Sequence, residues 1–246
     1  MIICPDLANA LKNGKLMPSY LIVDADILKL DLMARNFAKN FNAADVFYLK
    51  KPEDKTVITV EATENFVSQS SLAGIGAQKL LIVSDAADLN IASQNKLLKT
   101  IEDSRGQNVF LFLASSDANI LPTIKSRCVR LNLPPLSFAE IKSEFPYFPE
   151  TFSDGTLTTA QLFIQTPNAK EIYERAEKLL NAESLDRALQ YIAYLNKKEN
   201  QPLALVALNH FAKTQPVLSA LAKINRNINA NCNKTNAFDL LILALF

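Results

Sequence analysis

The stretch KLLIVSDAADLNIASQNKLLKTIED, residues Lys79–Asp103, decides the fold. Leu80–Val83 is an uninterrupted apolar run too short for a buried helix, so it reads as a strand covered on both faces. Beyond the polar turn the spacing changes. Leu97, Leu98 and Ile101 recur on one side and Lys96, Lys99 and Glu102 on the other, as in an amphipathic helix. Asn90 stands where an N-cap belongs, and Gly106 marks the end of the helix. The same alternation extends outward in both directions. Apolar runs of strand type recur at Tyr20–Val23, Val46–Leu49, Val57–Val60, Val109–Leu113 and Val129–Leu133. The helical pattern after the first of them carries its core face at Leu30, Met33, Ala34, Phe37 and Phe41. Strands alternating with helices predict an α/β domain built on a parallel sheet.

After Leu133 the pattern breaks at Pro134-Pro135, and helical segments follow, separated by Pro146, Pro149, Pro167, Pro202 and Pro216. Boundaries near residues 135 and 168 divide the chain into an α/β domain, 1–135, a small helical domain, 136–167, and an all-helical domain, 168–246. The last stretch carries Leu218, Leu221 and Ile224 after Gln215 and ends in the apolar run Phe238–Phe246. Two packed helices joined by the polar segment Asn225–Asn236 satisfy that pattern.

A chain of 246 residues buries a full core, and with 49% apolar residues, only 5 glycines and a net charge of +1 it is neither disordered nor fibrous. Its Lys and Arg residues form no basic stripe, which argues against tight DNA binding by this chain alone. Cys4, Cys128 and Cys232 are far apart, without C-x-x-C spacing, and His210 is the single histidine, so no metal site is expected. The odd cysteine count, with no signal peptide or long apolar span, predicts a cytoplasmic protein with no membrane role. His210 lies in the Ala/Leu-rich stretch Leu203–Phe211 and reads as a packing or surface residue.

An α/β sheet of this order normally binds phosphate at its first strand-to-helix turn, where glycines admit the backbone and a Lys reaches the terminal phosphates. Here that turn is Val23-Asp24-Ala25-Asp26-Ile27-Leu28-Lys29. It has no glycine, and Asp24 and Asp26 face the place an anion would take, repelling it. Lys29 lacks the loop that would aim it. At the end of Leu80–Val83, where a nucleoside triphosphatase carries a metal-holding Asp, stands Ser84; Asp85 beside it is expected to cap the following turn. Ala114-Ser115-Ser116-Asp117, after the next strand, reads as turn chemistry. No cofactor is expected.

Ile120–Leu131 reads ILPTIKSRCVRL and puts the guanidinium of Arg127 between a Pro-started helical turn and a strand. Arg is a permanently charged fork suited to phosphate, and in phosphoryl transfer it can be supplied by a neighbouring subunit. An exposed Arg also commonly pairs with a surface carboxylate. Ser126 caps or positions the turn, and Cys128 reads as a small apolar residue with no His or Asp partner to activate it.

Lys79–Asp103 together with FLFLASSDANILPTIKSRC, Phe110–Cys128, closely resembles the clamp-loader subunits of bacterial DNA polymerase III, in the AAA+ superfamily. The hydrolysing members carry a Gly-rich phosphate loop and a four-Cys zinc module ahead of this block. Both are missing here, and the region 43–63 reads as only a strand pair or loop. That departure, with Ser126-Arg127-Cys128 retained, resembles the delta-prime members. The ending, with Asn229, Asn231 and Asn233 in an Asn-containing turn, is similar to their last helices.

The resemblance implies an AAA+-like domain to 135, a helical lid to 167 and a helical collar to 246. No lid residue, Lys142, Glu144 and Gly155 included, aligns with a nucleotide contact. It also implies a non-hydrolysing subunit that supplies Arg127 as an arginine finger in trans. Its partners would be the ATPase (gamma/tau) and delta subunits, with the sliding clamp and primer-template DNA engaged indirectly. The alternatives are the clamp-opening delta subunit of the same complex, and an active AAA+ ATPase with an atypical phosphate loop.

Overall fold

The structure, a computed structural model, describes residues 4–52, 55, 57–103, 107–229 and 238–246. Gly106, Cys232, Asn231 and Asn233 lie outside the described residues. The chain divides into two compact units, Met1–Pro135 and Leu136–Phe246.

In the first unit the elements run α1 Pro5–Lys12, β1 Ser19–Val23, α2 Ile27–Ala38, β2 Val46–Leu49, α3 Val60–Ser71, β3 Lys79–Val83, α4 Ile91–Asp103, β4 Asn108–Ala114, α5 Pro122–Lys125 and β5 Val129–Leu131. The strands form one sheet in the order β2-β3-β4-β1-β5, and every pairing is parallel. Because parallel crossovers are right-handed, the leftward step from β1 to β2 puts α2 on one face, and the rightward steps put α3, α4 and α5 on the other. Side chains alternate accordingly. Leu21, Leu81, Val83, Phe110 and Phe112 share a core with Phe66 of α3, Leu97 and Ile101 of α4 and Ile124 of α5. Their neighbours Tyr20, Ile22, Leu80, Ile82, Leu111 and Leu113, also buried, turn to the opposite face, where α2 lies. Each fully buried Phe or Leu contributes about 1.5–3 kcal/mol, so β4, buried along its whole length, is the keel of the unit.

The helices start where the sequence places caps. Asp26 accepts the Lys29 N–H at the head of α2, and Asn90 accepts the Ser93 N–H at the head of α4. Leu30, Met33, Ala34 and Phe37 of α2 are buried, and Phe41 packs edge-on against Phe37 at 5.3 Å between centroids. Two expectations fail. Val57–Val60 is not a strand: it makes a single bridge, Ile58 to Leu89, and α3 begins at Val60 because the Thr59 hydroxyl accepts the Ala62 N–H as an N-cap. The strand expected over Val129–Leu133 stops at Leu131, shortly before Pro134, which has no N–H to give a ladder.

The second unit contains α6 Phe138–Glu144, α7 Leu157–Gln165, α8 Ala169–Leu180, α9 Leu185–Leu195, α10 Gln201–Phe211, α11 Gln215–Asn229 and α12 Ile242–Leu245. Its core is aromatic. Tyr173 of α8, fully buried, is ringed by Phe152, Phe163 and Phe211 at 4.5 to 6.1 Å, and its hydroxyl donates to the Phe152 carbonyl. Burial pushes that phenol well above its ordinary pKa. His210 is exposed and stacks edge-on against Phe211. The terminal apolar run does not make a second long helix. It forms a 3₁₀ turn at Asp239–Leu241 followed by the single turn α12, with Phe238 and Leu241 buried.

Candidate functional site

The carboxyl ends of β1, β3 and β4, where a doubly covered parallel sheet takes its ligands, are occupied by the chain's own groups. At the end of β1, Asp24 accepts the Asp26 N–H at 2.9 Å through one carboxylate oxygen and meets the Lys29 ammonium at 2.7 Å through the other. Both partners of this ion pair are largely buried, their side chains 18% and 7% exposed. The two carboxylates therefore do not point at an empty anion site, as the sequence suggested. Asp26 caps α2, and Asp24 takes both the ammonium and a backbone N–H that a phosphate would need. A phosphate would have to displace Asp24 and leave it without its cation, and breaking a buried pair costs about 3–5 kcal/mol.

At the end of β3, the Ser84 N–H donates to the Leu49 carbonyl on β2. Asp85 follows in the left-handed region with φ 55° and makes no side-chain cap, contrary to the role expected from sequence. Its carbonyl instead accepts the Asp88 N–H, so the backbone closes the turn and frees the carboxylate from capping. Burial, with Asp88 nearby, holds that carboxylate above its usual range. Asp88 is answered by Lys51 at 2.6 Å. Beyond β4, Asp117 pairs with Arg130, which holds its carboxyl below the usual range, and the Ala118 N–H donates to Ser116. Among the described residues no cluster of His, Cys, Asp and Glu suited to a metal is found.

Arg127 lies at the other end of the sheet. The parallel register pairs Tyr20 with Val129, so the residues before Val129 sit at the amino end of β1 while Asp24 sits at its carboxyl end. A five-residue strand separates them by about 16 Å. The α5 turn that presents Arg127 is fixed from three sides. Buried Gln94 of α4 accepts the Leu121 N–H at 2.7 Å and donates to the carbonyls of Leu89 and Asn119. The Ser126 hydroxyl donates to the Thr123 carbonyl, and the Ser19 hydroxyl donates to the Arg127 carbonyl at 2.6 Å. Ser126 thus positions the turn. The Arg127 side chain is 39% exposed; its guanidinium donates to Glu102 of α4 at 2.6 to 2.7 Å and reaches the Thr123 carbonyl at 3.0 Å. Cys128 packs against the core, and burial pushes its thiol up to about 11, which leaves it protonated and unreactive at neutral pH.

Sequence reasoning brought Arg127 and Ser126 to one place but missed Gln94, Ser19 and the specific partner Glu102. Gln94 is polar at a core position of α4, where periodicity anticipates an apolar residue, and Glu102 is one of several outward charges on that helix. No helix of the described residues is long and apolar enough to cross a membrane.

Residues 39–137 match the protein family described as "DNA polymerase III, delta subunit". DNA polymerase III subunit delta' of Pseudomonas aeruginosa is 34% identical over 93 residues, covering 37% of this chain and 28% of that protein. Subunit delta' of Escherichia coli is 29% identical over 173 residues, covering 68% of this chain and 49% of that protein. The chain thus spans about half or less of the length of these curated relatives. Among solved structures, a DNA polymerase III gamma subunit-related protein of Thermotoga maritima superposes with a TM-score of 0.56 at 18% identity, covering 97% of this chain and 98% of that one, which is a likeness of fold. Over these residues the chain is thus similar to subunits of DNA polymerase III, delta' among them.

Proposed function

We propose that this chain is the non-hydrolysing stator of its clamp loader and supplies Arg127 in trans to the nucleotide of a neighbouring ATPase subunit. One observation carries the reading. Arg127 is exposed at the amino end of the sheet, a strand length from the place where this chain would hold a nucleotide, which supports a role toward another subunit rather than this one. The pair with Glu102 favours exchange, because both partners are solvent-exposed and such pairs hold by about 0–1 kcal/mol. A phosphate in a neighbour's site, offering more charge and more acceptors, outcompetes a surface carboxylate. The closed Asp24–Lys29 turn supports the absence of intrinsic hydrolysis and counts against an active ATPase.

On this reading the helical segment 136–167 is the lid and 168–246 the collar that binds the gamma/tau and delta subunits in the cytoplasm, while clamp and primer-template DNA are met through the assembly. The test is reconstitution of the loader with the native chain or Arg127→Ala, measuring DNA- and clamp-stimulated ATP hydrolysis and checking assembly by gel filtration. A loss of roughly 10³-fold or more with intact assembly supports the finger, as for trans-acting arginines in nucleoside triphosphatases. Unchanged hydrolysis contradicts it. A reading as the clamp-opening delta subunit would instead require tight binding of the isolated chain to the sliding clamp.

A further inference from the structure

We infer that Gln94 is a positioning residue for Arg127: it fixes the head of α5, so that the backbone carrying the guanidinium keeps its place when the side chain leaves Glu102. The inference rests on the reading of Arg127 as a finger for a neighbour's nucleotide. α5 has only four residues, begins at Pro122 and has no side-chain cap, so it is too short to hold itself as a helix. Ile120 and Ile124, both buried, anchor it in the core cluster that also contains Leu97 of α4. Apolar burial is non-directional: it sets the depth of the turn and leaves its rotation open. Arg127 follows the turn directly, so any rotation there swings the guanidinium.

Gln94 closes off that rotation. It is 1% exposed, in the first turn of α4. Its Oε1 accepts the Leu121 N–H at 2.7 Å, and its amide donates to the carbonyls of Leu89 at 3.0 Å and Asn119 at 2.9 Å, which uses both amide hydrogens. A flipped carboxamide would set its oxygen against two carbonyls, so the three bonds admit one arrangement. An apolar side chain would fill the position without any polar group to satisfy; a fully bonded polar one specifies geometry. Glu102 stands about 12 Å further along the same helix. α4 therefore meets the segment from Asn119 to Arg127 twice, through bonds shielded from water at Gln94 and through an exposed, exchangeable pair at Glu102. The Ser19 hydroxyl, on the Arg127 carbonyl, ties the same backbone to the sheet. Transfer of the guanidinium from Glu102 to a phosphate then moves the side chain alone. Such placement matters because an error of about 1 Å at a reacting centre can cost roughly 10² in rate.

The experiment reconstitutes the loader with the native chain, Gln94→Met, Arg127→Ala and the double variant, and measures kcat and KM for DNA- and clamp-stimulated ATP hydrolysis. Circular dichroism of each chain and gel filtration of each complex establish folding and assembly. Methionine keeps the length of the side chain and removes all three bonds. Gln94→Met is expected to lower kcat roughly tenfold or more and to leave the KM for ATP within about twofold of native. In the Arg127→Ala background it is expected to add less than about twofold, because a residue that acts through Arg127 has nothing left to position. Should Gln94→Met fail to fold or assemble, Gln94→Glu, which keeps the acceptor for the Leu121 N–H and lacks the two amide donors, takes its place with the same expectations. A kcat within about twofold of native overturns the inference, and so does an equal loss with and without the Arg127 side chain, which would make Gln94 a purely structural residue. Native rates in Arg127→Ala would overturn the finger reading itself, and a large loss in Arg127→Ala beside native rates in Gln94→Met would overturn this inference alone.

Discussion

The two ends of the sheet hold the same kind of interaction in opposite settings. At the carboxyl end Asp24 and Lys29 form an ion pair withdrawn from solvent; at the amino end Glu102 and Arg127 form one in water. Burial decides what each can do. A buried pair is locked, since separating it strands a charge in a poor solvent, whereas an exposed pair exchanges partners at little cost. The same fold thus closes one potential phosphate site on itself and leaves the other cation at the surface in an exchangeable pair.

The sharpest way to break this comparison is to remove one carboxylate from each end. Asp24→Ala, which leaves the buried Lys29 ammonium unpaired, is expected to lower stability by about 3 kcal/mol in urea unfolding, and Glu102→Ala by less than about 1 kcal/mol. Equal losses would erase the distinction. A smaller effect of opposite sign is expected at Asp85. Its folded-state carboxylate is raised, so its ionisation weakens the fold progressively as pH rises through the unfolded and then the folded value. Asp85→Asn removes that charge and suits a left-handed backbone, and is expected to stabilise by about 0.5 kcal/mol at pH 7 after solvent screening, with a smaller gain at pH 3, where only the backbone contribution remains. Stabilisation that persists undiminished at pH 3 would assign the gain to backbone preference alone. The smallest effect is at Cys128. Peptide-resolved mass spectrometry after iodoacetamide treatment is expected to show essentially no alkylation of Cys128 at pH 7.5, because its thiol titrates near 11. Rapid modification at neutral pH would mean that the strand start is open.

Much of this contrast was legible in the sequence, and the parts that were not share a cause. Continuous apolar runs located β1, β3 and β4 because strands buried on both faces leave no polar alternation, and the three-four spacing of α2 and α4 gave their inner faces. Val57–Val60 misled because β-branched residues favour strands while the Thr59 cap, a single hydroxyl, starts a helix there. The missing glycines showed that the β1–α2 turn is no phosphate loop. They did not show that Asp24 turns back to Lys29, which depends on side-chain direction rather than residue type. The Arg127–Glu102 pair joins residues on separate elements, and the Gln94 bonds that hold α5 in place cross from helix to loop. Pairings of that kind are set by tertiary geometry, which local patterns do not encode.

The central claim, that Arg127 works on a neighbour's nucleotide and is only parked on Glu102, is tested most directly by comparing Arg127→Ala with Glu102→Ala in the reconstituted loader. Stimulated ATP hydrolysis is expected to fall roughly 10³-fold for Arg127→Ala and to stay within about threefold of native for Glu102→Ala, both assemblies being intact by gel filtration. Equal losses in the two variants would mean that the pair itself is what the loader needs, and native rates in both would mean that Arg127 touches no reacting phosphate.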